Sequence, residues 1–172
     1  RLDFDLLVHI ESGSARHTVD FTDYALGAGD VLCARAGQVH QWGAIADIEG
    51  RVAMFGPHAV DERTTDLIRS HLVRPRSHWL AADLTGTPVS QALALLVLSG
   101  NDPRTRELAG LRQVALAHCL AALLVRLALV EPAGAAPAPG PTHEAYTWFR
   151  DHIEEQFHTW HQVNQYADRL GY

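Results

Sequence analysis

The sequence contains no lysine: all fourteen basic residues of the 172 are arginine. With alanine abundant, this points to a GC-rich genome and says little about chemistry. Cysteine is almost as scarce. Cys33 and Cys119 lie far apart in apolar surroundings and read as buried free thiols of a cytosolic protein in preference to a disulfide. An uninterrupted apolar run of about 18 residues, the length of a membrane span, is also missing. The nearest stretch, 115–130, is broken by His118 and Arg126. Positive charge is in deficit, with a formal net of −6, which argues against a strong nucleic-acid surface on these residues alone. Catalytic signatures are lacking: no nucleophile elbow, no glycine-rich phosphate loop, no histidine–glutamate zinc helix. The first residue is not methionine and nothing near it resembles a signal peptide, so the expectation is part of a longer chain. A cytoplasmic protein with no catalytic residues, no cofactor and no membrane contact is therefore expected.

What is present suffices for a core: 172 residues, 47% hydrophobic, enough for one large domain or a domain with an appendage. Phe4, Leu6, Val8 and Ile10 alternate with more polar neighbours at a period of two. Turns are expected at Glu11–Ser14, Thr22–Asp23 and Ala28–Asp30, and strands at 16–21, 24–26, 31–34, 39–42 and 48–55. Five or six short strands with glycine corners predict a sandwich or small barrel over 1–57.

Beyond Gly56-Pro57 the pattern becomes helical. Helices are expected over 61–72, from Thr87-Pro88 to Ser99-Gly100, and from the Asn101-Asp102-Pro103 cap to about Val130. The last is apolar almost all round in its second half, so most of its sides must be covered. Its own subunit or a second one can do this; Leu116, Leu120, Leu123, Leu124 and Leu127 are the candidate dimer residues. Residues 131–141, rich in Pro, Ala and Gly, read as a linker between a 58–130 helical region and a 142–172 module. Thr142 reads as the cap of that module's first helix. Tyr146, Phe149, Ile153, Phe157 and Trp160 then form one helical stripe, and Val163, Ala167 and Leu170 a second, ended by Gly171. Those 31 residues carry two arginines against five acids, a net of −3.

One stretch organises the sheet region. Gly29, Gly37 and His40 resemble the second signature of the cupin barrels in spacing, with Arg35 at its proline position and Ala44 at its asparagine position. A metal-holding cupin also needs ligands from its first signature. With Gly13 as the hairpin glycine, those positions fall on Leu2 and Leu6, both apolar; a shifted count approaches Asp5 or His9, on the face opposite Leu6 and Val8. No metal site is expected, and His40 reads as a hydrogen-bonding residue of the pocket or barrel wall. His158 and His161 read as surface or capping residues, His118 as a core or interface residue, and Asp20 and Asp23 as local turn acids. Arg35 reads as a rim residue paired with Asp30 or Asp47, with bidentate binding of a ligand carboxylate or phosphate as the alternative. Candidate pocket residues are Leu6, Val8, Arg35, His40, Trp42 and Met54.

In order, the parts resemble an AraC-type transcription regulator. Residues 18–24 with Gly29-Asp30 and 37–42 are similar to its cupin-like sensor barrel, 112–129 to its linker or dimer helix, and 153–157 with 163–172 to the start of its helix-turn-helix domain. The resemblance implies an α+β fold with a small cupin-like jelly-roll barrel followed by helices. It implies a small-molecule effector in the barrel, a homodimer, and promoter DNA as partner of the full-length protein. The recognition helix would lie beyond Tyr172, so these residues alone are expected not to bind DNA specifically. A metal-dependent cupin dioxygenase or isomerase is the alternative, and a barrel serving only as a dimer scaffold is a third.

Overall fold

Alternation over Leu6, Val8 and Ile10 does build a strand, and it runs much further than a hairpin arm. The computed structural model describes residues 3–71, 76–103, 107–131, 149, 152–153 and 156–171. Its elements are β1 (Asp5–Val19), β2 (Thr22–Gly27), β3 (Val31–Ala34), β4 (His40–Phe55), α1 (Glu62–His71), β5 (His78–Trp79), α2 (Ala81–Leu84), α3 (Val89–Asn101), α4 (Ala109–Ala128) and α5 (Val163–Leu170). The chain divides into two compact units, 1–133 and 134–172.

The first unit is α+β: one curled antiparallel sheet with helices against it. β1 is its spine. β4 pairs along its whole length on one edge, while β2 and then β3 pair on the other, and β5 extends the sheet from β3. The turn expected at Glu11–Ser14 is absent, because β1 passes straight through. Gly13, at φ +78, instead follows a one-residue bulge of β1 between Ile10 and Ser12, and a Cβ on it would lie 2.2 Å from the Asp47 carbonyl oxygen. Strands 39–42 and 48–55 likewise merge into the sixteen-residue β4. The turn expected at Thr22–Asp23 sits two residues earlier. Asp20 and Phe21 both take positive φ, the geometry of a two-residue hairpin loop, and Phe21 points into solvent.

The bulge matters because it resets the alternation. Before it, Leu6, Val8 and Ile10 face one side; after it, Ala15, His17 and Val19 are the buried residues. That side, closed on itself by the curl, buries Leu6, Val8, Ile10, Val19, Leu26, Leu32 and Ala34. The opposite side sets Leu7, Val31, Cys33 and Trp79 against Val89, Ala92 and Leu93 of α3 and Leu123 and Leu127 of α4.

The helices begin near the expected places. Asp61 caps α1 by accepting the Thr64 N–H at 3.0 Å, and α3 follows Pro88. α4 starts at Ala109 rather than at the Asn101–Pro103 cap, and α3 continues to Asn101. By length and composition α4 is apolar enough to cross a bilayer. One side of it is nonetheless core, and the Trp79 indole N–H donates to the Leu127 carbonyl at 2.9 Å. Arg76 stitches the same corner, donating to the Val130 carbonyl at 3.1 Å and pairing with Asp83.

In the second unit, α5 has reciprocal capping between Gln162 and Gln165 and ends on Gly171 at φ +81. Tyr166 is buried edge-on against Phe149 and Trp160, at 5.4 and 5.0 Å between ring centres. Thr142, Tyr146 and the 132–141 part of the expected linker lie outside the described residues.

Candidate functional site

The two glycine corners are held by carboxylates. Gly29 takes φ +88 with Ala81 close beneath it, and Gly37 takes φ +85. The buried Asp30 carboxylate accepts the Gly27 N–H at 2.9 Å and the Ala81 N–H at 2.8 Å, and meets His78 Nε2 at 3.1 Å. Three partners on three segments fasten the first corner to β5 and α2. At the second corner Asp20 accepts the Val39 N–H at 3.0 Å and the Gln38 side-chain amide at 2.7 Å, and Asp5 accepts the Ala36 N–H at 2.7 Å. Asp20 is thus more than a local turn acid. It bridges the β1–β2 loop to the corner before β4.

Cross-strand partners share a face, and on the curled inner face this brings polar aromatic side chains together. His17 pairs in register with Trp42 on one side and Tyr24 on the other, Val19 pairs with His40, and Leu32 with His78. His17 Nε2 lies 3.2 Å from His40 Nδ1, so one ring donates to the other. Trp42 stands edge-on to His17 at 4.4 Å, and Tyr24 edge-on to His78 at 5.5 Å. His17 is fully enclosed, and its Nδ1 has no hydrogen-bond partner among the described residues. Burial, with the neighbouring His40 adding to it, holds the His17 imidazole down at about 4. The ring is therefore neutral at pH 7. Depending on tautomer, Nδ1 offers a donor or an acceptor in apolar surroundings, where an unmade hydrogen bond is expensive.

Five of the six expected pocket residues fall on this face. Leu6 and Met54 are register partners, Val8 lies beside them, and His40 and Trp42 flank His17. Leu6 and Val8 are buried floor, whereas Met54 and Trp42 are exposed along β4. Arg35 stands apart at the second corner, its backbone N–H donating to Gln38. Its expected pairing with Asp30 is corrected: that carboxylate is already committed to Gly27, Ala81 and His78. No ion pair of Arg35 with Asp47 occurs among the described residues. His17, Tyr24 and His78 are the residues that the sequence reading did not single out. The signal for His17 lies in the one-residue bulge between Ile10 and Ser12, which carries it to the inner face.

The expected dimer residues are divided by the packing within the chain. Leu120, Leu123 and Leu127 point into the chain's own core, with Leu116 and Leu124 half-buried beside them. The outward row of α4 is Leu111, Ala115, His118, Ala122, Val125 and Leu129, spaced alternately by four and three. A helix apolar all round gives no phase, so the packing of Trp79 and Val31 chooses which side turns inward. His118, His158 and His161 are exposed. Cys33 is a buried free thiol whose pKa burial pushes up to about 11, and Cys119 is free as well. Among the described residues no group of three or more His, Cys, Asp or Glu is placed to hold a metal. Leu2 lies outside them.

No family model matches the sequence, and no curated protein matches it. Among solved structures, the chain is similar to CuxR, described as an AraC-like transcriptional activator, at a TM-score of 0.47 and 14% identity. The alignment covers 99% of this chain and 57% of that one, so the chain spans little more than half its length.

Proposed function

We infer that this chain is the sensing and dimer-forming portion of a cytoplasmic transcription regulator of the AraC type. A small effector binds the inner face of the cupin-like sheet, and a helix-turn-helix domain beginning in the second unit contacts promoter DNA in the full-length protein. The observation that carries this reading is the order of parts in one chain. A glycine-cornered curled sheet comes first, then an apolar helix with an uncovered row, then a separate unit whose capped helix ends on a left-handed glycine. His17, His40, Trp42 and Tyr24 supply what a small-molecule site needs, an apolar floor with a few oriented polar groups.

The dimer uses the outward row of α4. In an antiparallel two-fold pair centred at Leu120, Leu111 meets Leu129, Ala115 meets Val125, and His118 meets Ala122. Each larger residue of the inner pairs faces a smaller one, the self-complementarity that a two-fold contact requires.

DNA selection from a random pool tests the regulator reading, comparing residues 1–172 with a gene product extending past Tyr172. The extended protein is expected to enrich one sequence with salt-dependent affinity, and residues 1–172 to enrich none. Failure of the extended protein to select, or selection by residues 1–172 alone, overturns it. Stoichiometric iron, zinc or manganese in the purified protein favours the cupin-enzyme alternative instead.

A further inference from the structure

His17 Nε2 and His40 Nδ1 face each other at 3.2 Å, and one proton fits between them. The far nitrogens decide which ring carries it, because their surroundings differ. His17 Nδ1 is enclosed, with no partner among the described residues. His40 Nε2 also lacks a partner among them, but it is not enclosed.

With the shared proton on His40 Nδ1, whether that ring is neutral or charged, His17 must accept at Nε2. Its own proton then sits on Nδ1, an N–H shut away from water and from every described acceptor, which is costly. Among buried backbone groups an orphaned N–H is rarer than an orphaned acceptor, and the same order applies to the ring. With the shared proton on His17 Nε2, the enclosed Nδ1 is a bare lone pair. His40 accepts at Nδ1 and keeps its proton on the open Nε2. Both rings then hold the Nε2–H form that free histidine prefers. Burial keeps His17 from taking a second proton at pH 7.

We propose that His17 is a positioning residue that fixes His40 as an open N–H donor, so that the inner face selects an uncharged ligand presenting a hydrogen-bond acceptor, a carbonyl or a bare ring nitrogen, on an apolar body. The ligand chemistry rests on the inner face being the effector site; the proton placement does not. An uncharged ligand fits because the cluster holds no guanidinium and no free carboxylate. Asp30 is filled by Gly27, Ala81 and His78, and Arg16 alternates to the exposed side of β1. An apolar body fits the buried Val19, register partner of His40, and the rings of Trp42 and Tyr24.

The test is long-range proton–nitrogen correlation on residues 1–172 labelled with the heavy nitrogen isotope, at pH 7, where protonated and bare ring nitrogens resonate far apart. His17 and His40 are both expected as Nε2–H, assigned by the signals lost in His17→Phe and His40→Gln. A proton on Nδ1 of either ring overturns the proposal. Titration with quinoline and, separately, with indole then reads selection, since these planar bicycles offer a bare nitrogen and an N–H respectively. Quinoline is expected to shift the His40 Nε2 resonance and to bind at least about tenfold tighter than indole. In His17→Phe, His40 is expected to show both tautomers and the preference to fall below about threefold. Should that variant fail to fold, the proton placement and the preference in the unaltered protein decide. Equal or tighter binding of indole, or a preference undiminished in folded His17→Phe, overturns the proposal and leaves the inner-face effector site standing. No shift of His40 by either compound at millimolar concentration overturns both together.

Discussion

Truncating Leu123 and altering Leu111 probe opposite sides of the same helix, and the proposed dimer gives them opposite consequences. Leu123 is fully enclosed between α3 and the sheet. Leu123→Ala therefore loses its transfer energy and leaves a cavity that packed neighbours only partly close, together about 3 kcal/mol. With a urea m-value of about 2 kcal/mol per molar, the unfolding midpoint falls by roughly 1.5 M. Leu111 is 67% exposed; Leu111→Asp removes little burial, and its effect on the midpoint stays within about 0.5 M. In sedimentation the proposed dimer reverses the order: Leu111→Asp combined with Val125→Asp is expected to sediment as a monomer, and Leu123→Ala to keep the mass of the unaltered protein under conditions where it is folded. Circular dichroism through the urea titration and equilibrium sedimentation at one protein concentration supply both readings. An unmoved midpoint in Leu123→Ala refutes the assignment of the inward face. A double variant with unchanged mass refutes the outward interface.

Further substitutions examine other joints of the fold. Stability is expected to fall as pH drops from about 6.5 toward 4, because the unfolded chain protonates His17 near its ordinary value and the folded chain only near 4. Above about 6.5 this contribution is fully present, and His17→Phe should flatten the dependence, read as urea midpoints at pH 5 and pH 7. Gly50→Ala places a Cβ 2.3 Å from the His9 carbonyl oxygen, and a loss above about 2 kcal/mol is expected from the forced backbone shift. Gly110→Ala meets nothing within 4 Å and is expected to raise the thermal midpoint, by about 0.5–1 kcal/mol of helix propensity. Asp30→Ala strands the Gly27 and Ala81 N–H groups and frees His78; a loss of about 2–4 kcal/mol is expected in denaturant unfolding.

Much of the element order was legible because it is written in neighbouring residues. Gly29 and Gly37 announce corners that only a residue at ease with positive φ can turn, and both do so. Gly171 ends α5 for the same reason. The helical stripes of α1 and α3 were legible within a few residues, since Asp61 and Pro88 mark their starts. Strand lengths were not. Gly13 looks like a turn residue in sequence and stays inside β1, because whether a glycine reverses the chain depends on the strand facing it. At Gly13 that neighbour is Asp47, 34 positions away.

The candidate site divides along the same line. By itself the sequence determined that His40 follows a tight corner, that the sheet region precedes apolar helices, and that the second half of α4 is apolar almost all round. These are properties of periodicity and backbone preference within about a turn or a strand. Only the tertiary structure decided that His17 would meet His40, 23 residues on, because a one-residue bulge in β1 sets which side of the sheet every later side chain occupies. It also decided which leucines of α4 belong to the core, since an all-apolar helix takes its rotation from whatever packs first against it. Here that partner is the sheet surface of Val31, Cys33 and Trp79.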